Sequence, residues 1–222
     1  MKKDSEKTLL DAVIEYFIKY WSPVGSKFLF EAKNIDIAPS TIRKHLNNLE
    51  KKWLVYQPYN SAWRLPTQEW VNFYVANLLS NNNKQTKNLV KINQWHNLRW
   101  FMDILWDVVD GIAFGYYTDE TDIYYLWVSK LLKKVNNDME KIISLMEFIE
   151  NKEIISYLSK KEIEKWTINY NFIQYQWINI AIMFIEIEFE WRNAVIWIIG
   201  SLRVDYKTNI NILKRILDKW TV

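Results

Sequence analysis

Pro39-Ser40-Thr41-Ile42-Arg43-Lys44-His45-Leu46-Asn47-Asn48-Leu49-Glu50-Lys51-Lys52 reads as one amphipathic helix, and its neighbours fall into place around it. Pro39 suits a first helical position, where no amide donor is needed. Ile42, Leu46 and Leu49 recur at spacings of four and three, a buried stripe that leaves Ser40, Thr41, Arg43, Lys44, Asn47 and Asn48 on other faces. From Ala38 to Arg64 the basic residues are Arg43, Lys44, Lys51, Lys52 and Arg64, against the single acid Glu50. The whole chain of 222 residues carries only +3, so positive charge is concentrated on this segment.

Upstream, Leu9, Leu10, Val13, Ile14, Phe17 and Ile18 predict an amphipathic helix, broken at Ser22-Pro23-Val24-Gly25-Ser26. Ser26 is read as the cap of a short second helix from Lys27 to about Lys33, and Asn34–Ile37 as a tight connection. Downstream, Leu54–Gln57 and Arg64-Leu65 are strand candidates around the polar tip Pro58-Tyr59-Asn60-Ser61-Ala62-Trp63. Helices followed by a hairpin, with a short turn between the second and third, is the order of a winged helix-turn-helix. A further helix, capped by Thr67, is expected to run to Leu79. Polar, pattern-free Ser80–Thr86 marks a boundary.

The second half alternates types. Lys87–Val109 is expected to be helical. Ile112–Tyr117 and Ile123–Val128 read as a hairpin around Thr118–Thr121. A helix from Asn137 to about Leu158 is expected to bury Met139, Ile142, Ile143, Met146 and Ile149. Ile185-Glu186-Ile187-Glu188-Phe189-Glu190 alternates strictly, as a strand with one dry face does, and Ala194–Ile199 is its partner. Thr208–Trp220 is a closing helix with Ile210, Leu213, Ile216 and Leu217 inward. The expected class is α+β: residues 1–79 a winged helix-turn-helix, 80–87 a linker, and 88–222 a domain of helices on an antiparallel sheet.

Composition narrows the chemistry. The chain has no Cys, which excludes disulfides, zinc–cysteine sites and thiol catalysis. His96 has no partner His or Cys near it, and Asp119, Glu120 and Asp122 sit on a hairpin turn, where they read as solubilising charge. No Gly-rich phosphate loop and no acid–base or nucleophile–base set is found, so neither a metal nor another cofactor nor an enzymatic activity is expected. No signal peptide is read at the N-terminus, and Ile178–Ile185 is too short to span a bilayer, so a cytoplasmic protein with no membrane association is expected.

Pro23-Val24-Gly25-Ser26-Lys27, Ser40-Thr41-Ile42-Arg43, Leu49-Glu50, Gln57 through Thr67 and Phe73-Tyr74-Val75 occur in one order and spacing. Through them the chain from Pro23 to Val75 resembles the HrcA family, the heat-inducible repressors of chaperone operons. Ile198-Ile199-Gly200-Ser201-Leu202-Arg203-Val204-Asp205-Tyr206 resembles that family's late signature. The resemblance implies a repressor of heat-shock operons, bound as a homodimer to an inverted repeat in double-stranded DNA. It also implies regulation by the GroE chaperonin, a GAF-like second domain and a nucleoid-associated location. Family members are longer, and too few residues lie between Val128 and Asn169 for the family's inserted dimerisation segment.

In that frame Ser40, Thr41, Arg43 and Lys44 are the favoured base-edge candidates, with Asn47 second. Arginine can chelate guanine and asparagine adenine. Lys51 and Lys52 are candidate phosphate contacts; Tyr59, Asn60, Ser61 and Arg64 are candidate wing contacts. Arg64 has a second reading, a salt bridge holding the wing, and Glu50 is read as structural, pairing with a cation of the first domain. Arg203, Asp205 and Tyr206 are assigned a regulatory or structural role. A small-molecule sensor with a ligand in the GAF-like domain remains the alternative.

Glycine occurs 4 times and tryptophan 13 times. The family has glycine where this chain has Trp21, Trp53, Trp63, Trp70 and Trp197, and similarly at Trp127 and Trp191. Several of these are turn positions, where tryptophan is sterically costly. Reading of a UGA codon as glycine in the native cell accounts for that pattern; genuine tryptophan in a drifted relative is the alternative.

Overall fold

The computed structural model describes residues 2–20, 22–32, 37–58, 64–80, 98–119, 123–124, 139–151, 164–176, 178–189 and 191–220. Helices and antiparallel sheet make it α+β, and the chain divides into two units, Met1–Asn81 and Asn82–Val222.

In the first unit, α1 (Lys2–Tyr20), α2 (Ser26–Ala32), α3 (Pro39–Lys51), β1 (Val55–Tyr56), β2 (Leu65–Pro66) and α4 (Gln68–Ser80) follow in order. Leu9, Leu10, Val13 and Ile14 of α1, Leu29 of α2, and Ile42, Leu46 and Leu49 of α3 are buried together with Val55, Val71 and Val75. The Leu29 N–H bonds Gly25 O at 3.1 Å, so Gly25 takes the capping position expected of Ser26. β1 and β2 pair antiparallel, Val55 opposite Pro66. Arg64, just before β2, exchanges two 3.0 Å backbone hydrogen bonds with Val24 and ties the strand base to the segment ahead of α2.

α3 ends in a Schellman turn. The Leu54 N–H reaches Leu49 O and the Trp53 N–H reaches Glu50 O, both at 3.0 Å, while Trp53 takes φ 59°. Thr67 then fastens this turn to the next helix. Its hydroxyl donates to Trp53 O at 2.9 Å, and its oxygen accepts the Trp70 N–H at 3.3 Å.

The second unit is built on a five-stranded antiparallel sheet, order β4-β3-β7-β6-β5. These are β3 (Ile112–Tyr117), β4 (Ile123–Tyr124), β5 (Asn169–Tyr175), β6 (Ile178–Phe189) and β7 (Arg192–Ser201). The helices are α5 (Leu98–Val108), α6 (Met139–Glu150) and α7 (Tyr206–Trp220). The β6–β7 hairpin and the inward face of α7 agree with the sequence reading, with Ile210, Leu213, Ile216 and Leu217 buried. Phe114, Trp197 and Phe184 stand opposite one another on β3, β7 and β6, and their rings stack across the sheet.

The structure departs from the sequence expectation at α6 and at β5. α6 does not bury Met139 and Ile143, which are 56% and 49% exposed; Ser144 and Phe148 face inward instead. Phe148 meets Tyr175 edge-on at 5.3 Å and the Ser144 hydroxyl donates to Gln176 Oε1 at 3.2 Å, so the end of β5 and the turn after it select this face. β5 itself is absent from the sequence reading: its residues are nearly all half-buried, without clear alternation. The positions expected to form the linker after Ser80, the helix start from Lys87, His96 and the strand beyond Tyr124 lie outside the described residues.

A polar latch closes the second unit. The Asp205 carboxylate accepts the Thr208 N–H at 3.0 Å and its hydroxyl at 2.7 Å, capping α7, and the Asp205 N–H donates to Asp110 Oδ2 at 2.7 Å. Asn209, fully buried, accepts the Asp110 N–H at 2.8 Å and donates to Asp110 O at 2.7 Å. Beside it Gly111 has φ 133°, and a Cβ there would lie 2.7 Å from Ile199 O. Tyr206 donates to Leu202 O at 2.8 Å, and burial, reinforced by the Asp110 charge, pushes its phenol well above the usual value. Asn209→Ala strips the partners from two backbone groups at once. Each buried orphan costs about 1–3 kcal/mol, so urea unfolding should register a loss of at least about 2 kcal/mol, against a loss near zero if the latch were incidental.

Candidate nucleic-acid interface

The rotation of α3 is set by Ile42, Leu46 and Leu49, each at most 1% exposed. At about 100° per residue, Ser40, Lys44, Asn47 and Lys51 then point away from the core, with Arg43 beside them. All five are exposed, as is Thr41. The flanks are tied down. On one side the Lys52 ammonium lies 2.8 Å from Glu6 Oε2 of α1, and His45 Nδ1 lies 3.6 Å from Glu6 Oε1. On the other, Arg64 Nη2 donates to Glu50 Oε2 at 3.1 Å and to Asn47 Oδ1.

This arrangement sorts the cations. Arg64 is only 15% exposed at its side chain and is held by Glu50, in keeping with its salt-bridge reading and with the structural reading of Glu50. Lys52 is opposed by Glu6. Among the described residues Arg43, Lys44 and Lys51 are the cations of α3 without an ion pair, so the free positive charge is smaller than the sequence count implies. Tyr59, Asn60 and Ser61 lie outside the described residues. Arg203, Asp205 and Tyr206 belong to the second unit, where Asp205 and Tyr206 serve the latch and the Arg203 N–H meets Ser201 Oγ at 3.3 Å. Nothing in the local sequence pattern of Glu6 distinguishes it from its charged neighbours, so its part in the site shows only in the fold.

Among the described residues no cluster of three or more His, Cys, Asp or Glu is placed to hold a metal ion, and no helix is long and apolar enough to cross a membrane.

The Glu6 carboxyl is held below its ordinary value, first by the hydrogen bond from Lys52, with burial opposing. A depressed carboxyl adds stability above its unfolded value and loses it as pH falls through the folded one. Glu6→Gln should therefore cost about 0.5 kcal/mol in urea melts near neutral pH, the scale of a partly exposed pair. Below the carboxylate range the two proteins should converge; a pH-independent difference would show that the charge is immaterial.

No family model matches the chain. It is 34% identical over 95 residues to the heat-inducible transcription repressor HrcA of Staphylococcus aureus (strain JH9), a stretch covering 42% of this chain and 29% of that protein. To HrcA of Staphylococcus epidermidis it is 30% identical over 88 residues, 39% of this chain and 27% of the relative. The match thus spans less than a third of the length of these curated relatives. Across its whole length the fold is similar to the crystal structure of a hypothetical protein, with a TM-score of 0.73 at 14% identity, covering 98% of this chain and 97% of that one. That likeness concerns the fold alone. In sequence, about two fifths of the chain is similar to HrcA repressors.

Proposed function

We propose that this chain is a sequence-specific DNA-binding repressor of the HrcA kind, acting on an inverted-repeat operator of heat-shock genes. In this reading residues 1–79 are a winged helix-turn-helix, 80–87 a linker, and 88–222 a GAF-like dimerisation and regulatory domain. The observation that carries it is the single outward face of α3, bearing Ser40, Arg43, Lys44, Asn47 and Lys51 opposite a fully buried stripe. The similarity to named repressors supports it.

Cations against phosphates supply affinity, and donors at base edges supply sequence preference. Arg43 is the bidentate guanine reader, with Ser40, Thr41 and Asn47 beside it. Lys44 reaches a base edge beside them, Lys51 neutralises a phosphate, and the tip residues Tyr59, Asn60 and Ser61 touch the backbone or the minor groove. An inverted repeat calls for a two-fold protein, so the second domain pairs two copies. Chaperonin control, a cytoplasmic nucleoid-associated location and the absence of enzymatic activity belong to the same reading.

Arg43→Ala should weaken operator binding by about 1–3 kcal/mol and relax base preference. Lys51→Ala should weaken binding to operator and scrambled duplex alike and flatten the salt slope by about 0.9. Lys52→Ala should do less, because Glu6 already engages that ammonium. Fluorescence anisotropy on both duplexes decides, and wild-type affinity in Arg43→Ala and Lys51→Ala would reject the assignment.

We further propose that glycine replaces tryptophan at several turns of the native polypeptide, through a UGA codon read as glycine. What supports this is conformational. Among the described residues the non-glycine positions with positive φ are Trp53 (59°), Trp166 (64°), Gln176 (51°) and Trp191 (66°). Trp53 is the C′ residue of the Schellman turn and Trp191 lies in the β6–β7 turn, and they are 80% and 93% exposed. Their indoles therefore bury little to offset a steric cost of roughly 1–2 kcal/mol each. Trp53→Gly and Trp191→Gly should each raise stability by about 1 kcal/mol in urea melts. Intact mass of the protein from its own cell should fall below that of the written sequence; a mass carrying every indole would end the idea.

A further inference from the structure

Arg64 is the cation that the first unit withdraws from solvent. Its Nη2 donates to both Glu50 and Asn47, and its Nε is buried with no partner among the described residues. Its backbone is fixed as well, by the two hydrogen bonds to Val24. An arginine offers donors only, so the Asn47 amide must turn its oxygen toward Arg64 and its NH2 away. Asn47 is exposed, one α-helical turn beyond Arg43, on the outward face of α3. Left alone, its amide would sample both orientations; the guanidinium, anchored in turn by Glu50, selects one.

The geometry points to Arg64 as a positioning residue, an inference that rests on the DNA-binding reading above. It holds the Asn47 NH2 outward, so that Asn47 reads a hydrogen-bond acceptor on a base edge in the major groove, such as guanine N7 or O6 or thymine O4. Arg64 itself stays off the DNA. Asn47 thereby gains a donor polarity that the sequence alone leaves open, and the base of the wing becomes part of the reading device without contributing a contact.

The test uses the full chain and a pool of duplexes carrying a randomised inverted repeat. If no sequence is enriched and no duplex bound, the DNA-binding reading fails and takes the inference with it. If a duplex is enriched, titrations across salt isolate the inference. Asn47→Ala should abolish preference at one base pair, a loss of about 5- to 150-fold, given about 1–3 kcal/mol for a good base contact. Arg64→Met should flatten preference at that same pair, add little in the double variant, and leave the salt slope unchanged. A slope reduced by about 0.9 would identify Arg64 as a phosphate contact and overturn the inference. So would penalties that add, or an Asn47→Ala variant with wild-type preference. Glu50→Gln keeps the cation but loosens its anchor, and decides the matter should Arg64→Met fail to fold. Weakened preference at the Asn47 pair is expected; tighter binding with preference intact would mean that a released Arg64 reaches the DNA.

Discussion

Burial of Ile42, Leu46 and Leu49 orients α3, and the candidate interface follows from that orientation. Each such side chain contributes about 1.5–3 kcal/mol when removed from water. The ion pairs along the flanks, partly exposed, contribute about 1 kcal/mol or less each. The apolar stripe therefore sets the rotation and the polar contacts accommodate it. Turning the helix by one residue would expose Ile42 and drive Arg43 toward the core, where an unpaired guanidinium is far too costly.

Once α3 is so oriented, its two flanks differ from its outer face. Glu6 of α1 meets Lys52 and His45 on one side, and Arg64 meets Glu50 and Asn47 on the other. Two basic side chains thus have acidic partners within the chain, while Arg43, Lys44 and Lys51 stay available. A helix tied on both flanks presents its outer side chains at fixed positions. The Schellman turn and Thr67 extend the same economy of orientation to α4, since the hydroxyl that caps α4 also holds the end of α3.

In the second unit the stretch from Ser201 to Tyr206 acts through side-chain and backbone hydrogen bonds alike. Asp205 caps α7 and donates its own N–H to Asp110, and Asn209 closes the circuit on the Asp110 backbone. The tryptophans divide by environment. Trp197 is stacked between Phe114 and Phe184 in the sheet, whereas Trp53 and Trp191 project into solvent from left-handed turns. Among the described residues Trp166 shares their positive φ, so these three tryptophans, unlike Trp197, conflict with local backbone geometry.

Taken alone, the sequence determined what depends on neighbours along the chain: the buried stripes of α3 and α7, the Pro39 start, the Thr67 cap and the β6–β7 pairing. These rest on helical period, strand alternation and turn chemistry, all local. Only the tertiary structure decided which cations are free. Glu6 lies 46 residues from Lys52, and Glu50 lies 14 from Arg64, so no local pattern could pair them. The same holds for the inward face of α6, chosen by its contacts with Tyr175 and Gln176, and for β5, whose half-buried residues carry no clean alternation. Charge is legible in a sequence; its partner is not, because Coulomb and hydrogen-bond energies depend on distance in space.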